Sequence, residues 1–100
     1  MNNSPICKRL KEARQVAKLS QKKLGIDGFS ASARMNHYEK GRHTPDFATL
    51  QRMASVLKLP TAYFYAESDE LVEMIRCFHR LRKMNRSAIL KELAKYYSKQ

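Results

Sequence analysis

The stretch from Leu19 to Pro45, LSQKKLGIDGFSASARMNHYEKGRHTP, constrains this chain more than any other. It reads as a helix, a tight turn, a second helix and a basic loop. Ser20 is placed to cap the first helix, because its side-chain oxygen can accept one of the free N–H groups at a helix start. Gln21 opens that helix and Leu24 points inward. Asp27-Gly28 supplies the break, since Gly accepts the positive φ a sharp turn can require. Ser30 or Ser32 caps the second helix, and Gly41 stands where helices commonly end in a left-handed residue.

At about 100° per residue, Ala31, Met35 and Tyr38 share one side of the second helix. Ser30, Ala33, Asn36, His37 and Lys40 share the other. The inward side is small or apolar; the outward side is short, polar and ends in a cation. Such a side suits a nucleic-acid groove better than an apolar partner. Leu19-Ser20-Gln21, Leu24, Tyr38-Glu39-Lys40-Gly41-Arg42 and Pro45 together resemble the phage-repressor helix-turn-helix family (Cro/CI-type, or XRE). Arg34 to Gly41, RMNHYEKG, is similar to one bacterial branch of it. The spacing from Leu19 to Tyr38 is kept. The family's apolar–Gly–apolar turn is replaced by Gly28-Phe29-Ser30, so the turn either shifts by one residue or takes another geometry.

The resemblance implies roles residue by residue. Gln21 hydrogen-bonds a phosphate and braces a base-contacting side chain, with Lys22 beside it at a helix N-terminus that favours phosphate. Ser32, Ala33, Asn36 and His37 fall at base-contacting positions, and Arg34 lies on their flank. Asn can pair with adenine N6 and N7, and Ala with a thymine methyl. Lys40, Arg42 and His43 grip the sugar-phosphate backbone, which positions the protein without reading sequence. Glu39 braces a neighbouring helix or cation, since phosphate would repel it.

Charge points the same way. Lys and Arg number 20 against nine acids, a net +11, so a polyanion is the first partner to consider. Residues 1–45 hold ten of those cations and three of the acids, whereas residues 46–68 are balanced. The excess therefore surrounds the helix-turn-helix.

Around it, Ser4-Pro5 reads as an N-cap with Pro at the first helical position. Ile6, Leu10, Ala13 and Ala17 repeat as an amphipathic helix to about Lys18, with Lys8, Arg9, Lys11 and Arg14 on a solvated face that can lie near phosphate. Asp46 caps a further helix with Phe47, Leu50, Met53, Ala54 and Leu57 as core. Lys58 stands where the family has Gly, so that helix is expected to end less sharply. Pro60 opens a short helix whose Tyr63, Phe64 and Tyr65 seal the domain. The expected fold is all-α: a five-helix repressor-type domain over 4–66, then one or two C-terminal helices. Over 69–98, Leu71, Met74, Phe78 and Leu81 form a helix-packing seam. Asn85-Arg86-Ser87 interrupts it, and Ile89, Leu93 and Tyr96 mark a final helix. These residues are expected to dimerise the chain, the alternatives being packing back on their own domain and a basic helix on a membrane surface.

Two distant cysteines, Cys7 and Cys77, have no metal-ligand spacing and read as reduced thiols. A Gly-rich phosphate loop, HExxH, CxxC and a nucleophile elbow are all missing from the sequence, so neither an enzyme nor a cofactor is expected. Nothing resembles a signal peptide or a membrane span, and a cytoplasmic, nucleoid-associated protein is expected. The leading reading is a regulator that binds an inverted-repeat DNA operator as a homodimer. An antitoxin-like or adaptor module and a sequence-neutral nucleoid protein are the other two.

Overall fold

The structure, a computed structural model, describes residues 4–24 and 31–98, with only the backbone of Ala31 and Ser32. It is all-α. The helices are α1 (Ile6–Val16), α2 (Gln21–Leu24), α3 (Ala31–Glu39), α4 (Phe47–Leu57), a 3-10 helix (Thr61–Tyr65), α5 (Asp69–Arg80) and α6 (Lys83–Tyr97). The expected turn at Asp27-Gly28-Phe29 and the cap at Ser30 lie outside the described residues, as do the side chains of Ala31 and Ser32.

Helix starts follow the cap chemistry. Ser4 Oγ accepts the N–H of Ile6 at 3.2 Å, Ser20 Oγ that of Lys23 at 3.1 Å, Asp46 Oδ1 that of Thr49 at 2.8 Å and Ser68 Oγ that of Leu71 at 3.1 Å. Each fills one donor that the helix leaves unpaired. Helix ends repeat one device. After α1, α3 and α4 the chain turns through a left-handed residue: Lys18 (φ 59°), Gly41 (φ 74°) and Lys58 (φ 58°). In each, the following N–H reaches five residues back, from Leu19 to Arg14, Arg42 to His37 and Leu59 to Ala54, at 2.9–3.1 Å. This is the Schellman closure. Contrary to the sequence expectation, Lys58 therefore ends α4 as sharply as Gly would, its backbone held by these bonds despite the Cβ.

The core gathers Ile6, Leu10 and Ala13 of α1, Leu24, Met35, Leu50, Met53 and Ala54, sealed by Tyr63 and Phe64 of the 3-10 helix and by Val72 of α5. α3 packs on α1 and α2, and the 3-10 helix on α1, α4 and α5. Two expected core residues stay outside: Ala17 caps α1 in solvent, and Phe47 is exposed at the first turn of α4. Tyr65 is likewise exposed.

Two arginines assigned to the solvated face of α1 are internal instead. Arg9 is buried, and it donates to the Ala66 carbonyl (3.3 Å) and to Asp69 (2.9 Å), tying α1 to the start of α5. Arg14 donates to both Glu39 oxygens, at 2.5 and 3.1 Å, and to the Leu19 carbonyl at 2.9 Å. Their partners are far away in sequence, so local periodicity could not place them inside.

The C-terminal break also moves. α5 ends at Arg80, Leu81 and Arg82 are extended, and Asn85-Arg86-Ser87 lies within α6. Arg86 closes the corner by donating to the Phe78 and His79 carbonyls, while its guanidinium lies 5.4 Å from the Phe78 ring centre. A cation on the last carbonyls of a helix satisfies orphan acceptors. The turn is therefore made one residue group earlier than the polar triplet indicated.

Candidate nucleic-acid interface

The site is built on α2, α3 and the loop after α3. Met35 anchors α3 with no exposure and Tyr38 packs against the core, so the helix's opposite side faces out. Ala33, Arg34 and Lys40 are exposed there, and Asn36 and His37 are half-buried. Lys22, Lys23, Arg42 and His43 are exposed around them. The Schellman turn at Gly41 brings His43 back over α3, where its ring centre is 5.1 Å from that of His37, tilted by 37°. His37 and His43 thus form one patch, although sequence reasoning gave them separate roles.

Beneath this surface runs a polar network. The Glu39 side chain is 4% exposed and that of Arg14 is 14% exposed. Gln21 Nε2 donates to Glu39 Oε1 at 3.2 Å and to Asn36 Oδ1 at 3.4 Å. The first residue of α2 therefore stands beside the middle of α3. Glu39 braces a neighbouring cation, as expected from its place on the helix. Arg14 was missed as its partner; the only sequence signal is a lone acid next to the inward Tyr38, which requires a cation.

Farther along, α5 meets the core through Val72 and Ile75. Its other apolar stripe points away: Leu71 and Met74 are exposed, and Phe78 and Leu81 are half-buried. Every residue of α6 is exposed except the half-buried Arg86, Ile89 and Leu93 included. Between the helices lies an open apolar groove of about 470 Å³, lined by Pro60, Met74, Ile75, Phe78, Leu90 and Leu93. Among the described residues, no three His, Cys, Asp or Glu side chains gather as metal ligands. None of the described helices is long and apolar enough to cross a membrane.

Fold and surface define a small all-α protein whose second and third helices are wired together beneath a basic face. Among solved structures, the crystal structure of the transcriptional regulator BswR is similar to it: 42% identity over 95% of this chain and 94% of that one, with a TM-score of 0.75. No family model and no curated protein matches the chain. At that identity and coverage, the chain belongs to the family of the transcriptional regulator BswR.

Proposed function

We propose that this chain is a sequence-specific regulator of Cro/CI (XRE) type that binds double-stranded DNA, with α3 in the major groove. The observation that carries the reading is the Gln21–Asn36 hydrogen bond. It holds a side chain able to read a base on the outward face of α3, where cations crowd. In this reading Asn36, His37, Ala33, Ser32 and Arg34 meet base edges. Lys22, Lys40, Arg42 and His43 meet phosphates, with Gln21 contributing its helix-terminal backbone N–H. The protein acts in the cytoplasm on the nucleoid, as a repressor or autoregulator.

The regulator works as a homodimer joined through residues 69–98, on an inverted repeat whose half-sites lie about one helical turn apart, or a multiple of that. The exposed apolar faces of α5 and α6 support this. A different protein on the same groove is the second reading, favoured by that exposure alone. Selection from random duplex DNA with the purified protein tests the proposal. An enriched inverted repeat is expected. Tight binding without an enriched sequence would replace the regulator with sequence-neutral binding, and a single half-site would remove the symmetric dimer.

A further inference from the structure

The network behind Asn36 has a direction. Arg14 carries only donors, and it gives them to both oxygens of Glu39 and to the Leu19 carbonyl. Glu39, as a carboxylate, only accepts. Gln21 must therefore turn its Nε2, and not its oxygen, toward Glu39. The second N–H of that same nitrogen then points at Asn36, which must answer with Oδ1. The orientation of the Asn36 amide is thus decided two side chains away, by the Glu39 charge on the inner side of the fold.

We propose that Glu39, anchored by Arg14 and acting through Gln21, is a positioning residue that determines base selection at Asn36. The inference rests on the DNA reading above. A free Asn amide can turn over and offer donor and acceptor in either order. Adenine shows an acceptor (N7) beside a donor (N6) in the major groove, whereas guanine shows two acceptors. An amide pairs with both adenine positions in only one of its two orientations and with both guanine positions in neither, so a freely turning amide spends part of its time unable to read adenine. With its oxygen committed to Gln21, Asn36 presents Nδ2 outward as a donor and keeps a single lone pair on Oδ1, so only one arrangement fits well.

The test compares base preference at every operator position for the full chain and for Glu39→Gln, Gln21→Ala and Asn36→Ala. Glu39→Gln keeps the side chain's size but can face Gln21 with either end. Gln21→Ala leaves the Arg14–Glu39 pair intact and carries the test should Glu39→Gln fold poorly. Both are expected to lower preference about tenfold, at the same position that Asn36→Ala flattens. The salt slope, which counts phosphates neutralised, should not change. Added to Asn36→Ala, neither should cost further preference, because the effect passes through that residue. A variant that weakens binding equally on all sequences, or leaves the preference at that position intact, overturns the inference. If Asn36→Ala changes no position in an otherwise selective protein, the inference falls alone. If the unmodified protein selects no sequence, the DNA reading fails first.

Discussion

Replacing Arg14 with Met should destabilise the fold by about 3 kcal/mol, the lower end of what removing one partner of a buried ion pair costs. The structure decides between this and the small value of a surface pair. Glu39 is 4% exposed and receives two of its three side-chain hydrogen bonds from Arg14; in the variant only Gln21, at 3.2 Å, remains. Met fills most of the aliphatic stem's volume, so little of the loss is packing. At roughly 4–8 °C per kcal/mol for a domain of this size, the melting midpoint should fall by roughly 12–24 °C. Urea unfolding at fixed pH measures it directly, with the midpoint moving and the m-value unchanged. Arg14→Met with Glu39→Leu removes both charges, and should be more stable than Arg14→Met alone, because no buried carboxylate is left unpaired. A single-variant loss below about 1 kcal/mol would refute the reasoning, since it would give the pair the worth of a solvated one.

Lys58→Gly should stabilise the chain by about 1 kcal/mol, because Lys58 holds a left-handed φ that costs an L-residue with a Cβ; thermal unfolding reads it out, and a loss would show that the Lys side chain makes a compensating contact. Acid should weaken the fold as pH falls through and below about 4. The carboxyl of Asp69 is held below its usual range by its hydrogen bond from Arg9 and by Lys8, and that of Asp46 by its bonds from Thr49. A depressed folded value means the unfolded chain binds more protons there, so these contributions are present at neutral pH and disappear on acidification; Asp69→Asn should flatten the acid limb of a stability–pH curve. Leu90→Glu with Leu93→Glu should leave a folded monomer by sedimentation, and should weaken binding to a two-half-site operator more than to one half-site.

Much of this fold was legible because the signals are local. Ser20, Asp46 and Gly41 act on N–H groups within a few residues of themselves, and the spacing of Ile6, Leu10 and Ala13 needs only one helix. What escaped depends on distance or on backbone bonds. Arg9 and Arg14 sit at polar positions of α1 by period alone, yet their partners are Asp69 and Glu39. Lys18 carries no mark of the left-handed turn and Lys58 only its place where the resembled family has Gly; the turn is imposed by the hydrogen bonds that close it. The corner at Leu81-Arg82 is set by Arg86 reaching back to Phe78, not by the polarity of Asn85-Arg86-Ser87. The candidate site divided likewise: Asn36, His37 and the cations around Gly41 stood out, while the support beneath them did not.

The last two helices show where periodicity stops informing. α5 has two adjacent apolar stripes, and a sequence cannot say which one its own domain covers. Val72 and Ile75 take the core, so the Leu71–Met74–Phe78–Leu81 seam is turned outward. α6 goes further, with fifteen residues and an apolar arc of Ile89, Leu90, Leu93, Tyr96 and Tyr97, all of them exposed. A helix of that length is marginal in water by itself and gains most of its stability from packing. Its own contact with α5, through Arg86 and one side of the groove, covers only part of the arc. The same consideration that buries Leu50 and Met53 in α4 therefore requires a cover for α6. The homodimer proposed above would supply one, since the α5 and α6 of a second copy carry the same exposed stripes.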